Sequence, residues 1–128
     1  MVRLLADQRY SDYLKIPVTG ELGNIEIQAG KLPMKALIEK GLELKPSLLH
    51  IQAFSAFEPN PITGAFSAEI RAGLEITKTG VKPIKGGSIS GVLTDNLKNC
   101  YLSSELTQRE RILCPNAILF DQLTIAGA

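Results

Sequence analysis

The stretch of sequence that decides the fold is NPITGAFSAEIRA, which occupies residues 60–72. Its opening combines asparagine, proline and glycine, the residue types that tight turns favour. From Phe66 to Ala72, apolar residues at every second position alternate with Ser67, Glu69 and Arg71. This period of two indicates a strand with one buried face. We therefore expect a turn at residues 60–64 that leads into a strand.

The sequence before this turn predicts a long strand over residues 48–57. Pro59 ends it, because proline has no N–H to donate to a β-ladder. Strict alternation along the strand places Phe57 on one face, together with Ile51, and Phe54 on the other.

The sequence after residue 72 predicts a hairpin followed by a break. Leu74 is expected to begin a further strand, and Thr79-Gly80 supplies the turn into residues 81–84. Gly86-Gly87 is expected to interrupt that strand before it resumes at residues 88–91.

Three segments have the spacing of amphipathic helices. The first covers residues 3–14. The second has Pro33 in its first turn and Lys40 in its last, with Gly41 expected at the left-handed position after the helix end. The third is predicted from a set of residues that would share one helical face: Leu93, Leu97, Cys100 and Tyr101.

The remaining segments complete the fold prediction. Ile25 and Ile27 indicate a short strand, residues 103–113 are expected to cross the surface as a polar connection, and residues 118–125 form a final interrupted strand. Strands come in consecutive runs and helices at separate points, which favours an α+β fold. We expect a mainly antiparallel, strongly curved, barrel-like sheet with two or three short helices, in a single domain over residues 1–128.

Composition excludes several classes of protein. The 128 residues are 45% hydrophobic and 21% charged, which is typical of a globular domain and not of a disordered chain. A formal net charge of +1 gives no electrostatic footprint for nucleic acid, so a nucleic-acid partner is not expected. No apolar run is long enough to span a membrane. Two cysteines are too few for a disulfide framework, so a reducing, cytoplasmic location is expected.

Residues able to carry chemistry are few. His50 is the only histidine, and no second histidine is available for a zinc helix. The serines of Gly87-Ser88-Ile89-Ser90-Gly91 lack the strand–turn–helix context of a nucleophile elbow. Glu105 and Glu110 lie in a charged connection and are expected to be solvated. We therefore expect no catalytic residue in this chain. Cys100 and Cys114 are the weak candidates for metal ligands, with core packing as the preferred role for both.

The order and spacing of short motifs resemble those of a known family. The motifs begin at residues 60–67, continue through Thr79-Gly80 and residues 88–91, and end on Pro115 and residues 123–127. The series is similar to the C-terminal domain of the TldD/PmbA family, whose members are described as modulators of DNA gyrase and as metallopeptidases. Because the chain opens inside a family helix, we expect it to be a piece of a longer parent protein.

The resemblance implies where a metal would be held. In the metal-bearing branch, an upstream His-Glu-x-x-x-His helix holds the ion and a cysteine from this region adds a ligand. Here Tyr101-Leu102-Ser103 follows Cys100 in place of a glycine loop. The chain therefore looks closer to the PmbA (TldE) branch. The resemblance implies no cofactor in this chain, with zinc possible in the parent complex, and leaves open whether the parent is an enzyme.

The resemblance also implies a function, which we carry forward as an expectation. The chain would be a non-catalytic C-terminal domain of a peptidase complex, supporting subunit association in a homo- or heterodimer and the handling of unfolded peptide. The residues expected to contact peptide or partner are Asn60, Thr63, Gly64, Phe66 and Ser67. Two alternatives stay open: a metallopeptidase domain that contributes a cysteine ligand to the upstream helix, and an unrelated small β-rich binding module.

Overall fold

The computed structural model describes residues 12–15 and 24–127. Residues 12–14 are helical, and the rest of the helix predicted over 3–14 lies outside the described residues. The elements that follow are β1 (Ile25–Glu26), α1 (Met34–Leu44), β2 (Ser47–Pro59), β3 (Ala65–Thr77), β4 (Gly80–Ile84), β5 (Ser88–Val92), α2 (Leu93–Asn96), a 3-10 turn (Leu97–Asn99), β6 (Cys100–Leu102), β7 (Leu106–Arg109), β8 (Ile112–Pro115), β9 (Ile118–Phe120) and β10 (Thr124–Ala126). Mostly antiparallel sheets with a few short helices confirm the α+β prediction.

The main sheet is built around β3, which pairs with β2 along one edge. On its other edge, β5 pairs with the first part of β3 and β4 with the last part, so β4 and β5 lie end to end. The predicted break at Gly86-Gly87 is confirmed: both glycines have positive φ, 87° and 81°, and their backbones bond to Ile70. The prediction that Leu74 begins a new strand is wrong, because β3 continues unbroken to Thr77.

Irregular pairing between β2 and β3 changes which side chains share a face. The register skips Gln52, Arg71 and Ser55 in turn, so none of the three has a residue opposite it. Each extra residue reverses the alternation of side chains along its strand. The prediction that Phe54 and Phe57 lie on opposite faces is therefore wrong: their ring centroids are 5.8 Å apart.

A second hairpin brings β6 and β7 alongside β9 and β8. Strand β6 pairs with β9, and β7 pairs with β8. Between the two pairs, the buried Ser103 hydroxyl donates to the Glu105 carbonyl and accepts from the Ala117 amide, both at 3.0 Å. Two predictions fail here. Residues 103–113 are not merely a surface connection, and the third predicted helix does not reach Cys100 and Tyr101. Pairing with β9 overrides the local helical spacing there.

The chain from residue 25 to residue 32 crosses this second hairpin. The predicted strand at Ile25 is confirmed as β1, which runs parallel to β8. Further along, the Gly30 amide donates to the Ser103 carbonyl at 2.9 Å. A Cβ atom on Gly30 would lie 1.7 Å from the Leu102 carbonyl oxygen. Only glycine allows the two backbones to approach this closely.

Helix α1 begins at Met34, so Pro33 is its N-cap residue and not part of its first turn, and it ends at Leu44, so Lys40 lies before its last turn. Both placements differ from the prediction. Gly41 lies inside the helix and is buried, and a Cβ there would lie 2.7 Å from a Leu48 side-chain carbon. Its role is close packing against β2, so the prediction of a helix-ending glycine is wrong. The Met34 amide, in the first turn, donates to both carboxylate oxygens of Glu105 at 3.1 and 3.0 Å. Glu105 is thus a helix cap and not a merely solvated charge.

The expected barrel does not form, because no sheet in the described part of the chain closes or curls strongly. Strands β2 and β10 end the main sheet and do not pair with each other. The buried core of this sheet consists of Ala68, Ile70 and Ile89, with Ile51, Phe66, Ile84 and Leu123 packed against it. Among the described residues, no helix is long and apolar enough to cross a membrane.

Candidate functional site

A wide apolar groove is the main concave feature of the described structure. Its volume is about 1350 Å³, and its walls come from α1, β2, the turn at residues 60–64 and residues 116–123. Several large apolar side chains that line it are also substantially exposed: Leu44, Phe54, Phe57, Ile62, Leu93, Ile118 and Ile125. Apolar side chains that stay this exposed in a concave site indicate a surface for binding.

Three phenylalanines form a cluster in the groove. Phe57 stacks on Phe66 with ring centroids 5.8 Å apart and an interplanar angle of 12°, and it meets Phe54 at the same distance and 59°. Phe54 is 40% exposed and Phe57 is 52% exposed. Aromatic side chains of this kind supply large contact areas at binding sites. The cluster depends on the extra residue at Ser55, which turns Phe54 and Phe57 to the same face.

The turn at residues 60–64 is held by its own polar side chains. The Asn60 carboxamide oxygen accepts from the Ile62 and Thr63 amides at 3.0 and 3.1 Å, and the Thr63 hydroxyl accepts from the Ala65 amide at 3.2 Å. Gly64, at φ 73°, accepts from the Leu93 amide and ties the turn to α2. The turn is therefore preorganised, and it presents Ile62 with 93% of its surface exposed.

The structure brings most of the predicted contact residues together. Asn60, Thr63, Gly64 and Phe66 all line the groove. Ser67 is exposed but does not line it. Their contact role stays a prediction. Sequence reasoning missed Phe54, Phe57 and Ile62. Two phenylalanines close together on β2 could have indicated an aromatic cluster. Strict alternation, however, predicts that Phe54 and Phe57 lie on opposite faces, and no local sequence pattern predicts the bulge at Ser55.

The outer edge of β2 borders the groove and is open. Strand β2 is the last strand of the main sheet, 13 residues long, or about 40 Å. None of the described residues forms a backbone hydrogen bond to its outer edge. Such an edge can accept a further strand through main-chain hydrogen bonds.

The candidate metal ligands do not converge. Cys100 begins β6, is half-buried, and its thiol lies 3.4 Å from the Leu97 carbonyl. Cys114 lies in β8 opposite Thr107. Both belong to the second hairpin, but Cys100 lies in the β6–β9 pair and Cys114 in the β7–β8 pair.

The donor groups of the described residues do not form a zinc site among themselves. Zinc sites use three or four nitrogen, sulfur or oxygen ligands around one ion. Among residues 12–15 and 24–127, no group of three or more histidine, cysteine, aspartate or glutamate side chains is placed to hold a metal. His50, on β2, lines the groove without a second histidine or cysteine beside it there.

In its described part the chain is an α+β domain with an unpaired edge strand and an apolar groove, and comparison with known proteins gives its family. The family model described as the PmbA/TldA metallopeptidase C-terminal domain matches residues 2–127. The chain belongs to this family. The match does not distinguish the PmbA branch from the TldD branch. No curated protein and no solved structure matched the chain significantly.

Proposed function

We propose that this chain is the non-catalytic C-terminal domain of a PmbA-branch protein, which acts in the cytoplasm. It associates with a PmbA/TldD-type subunit as a homo- or heterodimer and holds unfolded peptide segments for that complex. The observation that carries the proposal is the apolar groove beside the free edge of β2. Zinc, where the complex uses it, is held by ligands outside this chain.

The groove supports binding of an extended segment. The free backbone groups of β2 can bond to any peptide main chain, which gives affinity without strict sequence selectivity. The half-exposed rings of Phe54 and Phe57 can cover apolar side chains of the bound segment. Most folded proteins cover their strand edges and bury most of their large apolar side chains, so this surface favours unfolded segments.

Fluorescence anisotropy with a labelled valine-rich peptide tests the binding. We expect saturable binding that falls by about tenfold in the Phe54→Ser/Phe57→Ser double variant, because the lost apolar burial is worth at least 1.4 kcal/mol. Val81→Ser is the matched control, because Val81 is 61% exposed but does not line the groove. A peptide with proline at alternate positions should bind more weakly, since proline cannot donate to a strand edge. Equal binding by the wild-type protein and the double variant would contradict the proposal.

A second experiment tests the non-catalytic role. The purified chain incubated with zinc and the same peptide should give no cleavage, as measured by mass spectrometry. Metal-dependent cleavage would overturn this part of the proposal. In a full-length protein that carries this domain, loss of stoichiometric zinc on Cys100→Ala would favour the alternative, in which this domain contributes a cysteine ligand.

A further inference from the structure

A second cavity, open to solvent and lined by several charged side chains, lies away from the phenylalanine cluster, where irregularities of several strands meet. Its volume is about 730 Å³. Its lining includes the two unpaired bulge residues Ser55 of β2 and Arg71 of β3, and the left-handed pair Gly86-Gly87 between β4 and β5. Gly127, also at positive φ, closes one side. Bulges and strand glycines re-aim side chains and let a ligand approach the backbone.

Several hydrogen-bond donors belong to residues that line this cavity. Arg71 and Lys85 supply two cations, and neither forms an ion pair or hydrogen bond with any described residue. The Ser88 hydroxyl lines the same cavity. The Gly87 amide makes no hydrogen bond within the described part of the chain, because the bonds at this turn use the Gly86 amide and the Gly87 carbonyl.

One acceptor group opposes them. The Glu69 carboxylate lines the cavity and accepts from the Ser55 hydroxyl at 3.4 Å. Among the described residues, the ionisable groups lining the cavity therefore sum to one excess positive charge, with two cations against one carboxylate. Arginine and lysine beside backbone amides of left-handed glycines form the donor set that carboxylates and phosphates bind.

We propose that this cavity is an oxyanion-binding site that takes a carboxylate or phosphate group. Arg71 offers a planar fork of donors, Lys85 a point charge, and the Gly87 amide and the Ser88 hydroxyl complete the coordination. The site is independent of the groove, and neither needs the other to be occupied. Two sources of the oxyanion share this chemistry: a free phosphate group and the terminal carboxylate of a peptide.

Amide chemical shifts measured by NMR during titration test the site. Inorganic phosphate is one probe, and an acetylated peptide with a free terminal carboxylate is the other, with its amidated form as the control. We expect saturable shifts centred on Gly86, Gly87 and Ser88. Saturation with phosphate alone assigns a phosphate ligand, and saturation with the free but not the amidated peptide assigns a chain terminus. The absence of saturable shifts with either probe would overturn the proposal.

Charge variants separate a built site from general attraction. Arg71→Gln/Lys85→Gln should weaken binding by about tenfold or more, because hydrogen bonds to charged groups are lost. Lys31→Gln/Lys78→Gln removes the same charge from exposed positions outside the cavity and should leave the affinity within about twofold. Glu69→Gln should tighten binding, because it removes the opposing carboxylate. Equal weakening by both double variants, or no gain from Glu69→Gln, would refute the assignment.

Discussion

Replacing Gly30 with alanine should destabilise this domain by about 2–3 kcal/mol, although it adds only one methyl group. The new Cβ would lie 1.7 Å from the Leu102 carbonyl oxygen. Carbon and oxygen atoms approach no closer than about 3.3 Å in ordinary contacts. The two backbones must therefore separate by more than an ångström, because neither atom belongs to a flexible side chain.

That separation breaks the hydrogen bonds which hold residues 30–32 on the second hairpin. The Gly30 amide donates to the Ser103 carbonyl at 2.9 Å, and the Ser104 amide donates to the Leu32 carbonyl at 2.8 Å. Each such bond contributes about 0.5–1.5 kcal/mol net. Displacing the buried Ser103 adds a further cost, because its hydroxyl bridges Glu105 and Ala117.

Urea denaturation followed by circular dichroism gives the measurement. Gly30→Ala should lower the midpoint without changing the slope with urea concentration, which is the signature of a loss of stability alone. Gly80→Ala is the matched control, because a Cβ there meets no atom within 4 Å. It should stay within about 0.5 kcal/mol of the wild-type protein or gain stability slightly. A Gly30→Ala midpoint equal to that of the control would refute the steric reasoning.

Three smaller effects follow from other contacts. Glu105→Ala should lower the free energy of unfolding by about 1 kcal/mol, because the Met34 amide loses both carboxylate oxygens that accept its hydrogen bond. Thermal unfolding measures this loss, with Glu43→Ala on the exposed side of α1 as the control. Asn60→Ala should lower the free energy of unfolding by about 1 kcal/mol and speed amide hydrogen exchange at the turn, because the Asn60 side-chain oxygen accepts from both the Ile62 and the Thr63 amides. Unchanged exchange rates at these two amides would contradict this prediction. Gly41→Ala should lower the free energy of unfolding by less than Gly30→Ala does, because the Leu48 side chain that the new Cβ would meet is flexible and can move. The urea midpoints of the two variants measure this difference.

Much of the secondary structure follows from local sequence. The strand from Ala65 and the break at Gly86-Gly87 form where alternation and turn residues predict them. The hairpin turn lies at Lys78-Thr79, one residue before the predicted position, because Gly80 already pairs with Thr77. Each signal is local, because it depends on residues within one turn or one strand. The same reasoning failed at Cys100, where a partner strand far along the chain decided the conformation.

The candidate site was only partly predictable. The turn at residues 60–64 is stabilised by hydrogen bonds among its own residues, so Asn60, Thr63 and Gly64 could be identified from the sequence alone. The phenylalanine cluster could not, since Phe54 and Phe57 meet only because the register skips Ser55. The second cavity depends on the same kind of irregularity, at Ser55 and Arg71.

The sequence by itself determined the family, the α+β class and the positions of the turns, because these depend on residue order and local conformational preference. Only the tertiary structure decided that the main sheet stays open, that Gly30 and Gly41 serve close packing, and that three phenylalanines share one groove. The physical reason is that strand register and backbone approach depend on partners distant in sequence. A one-residue shift in pairing moves every following side chain to the other face.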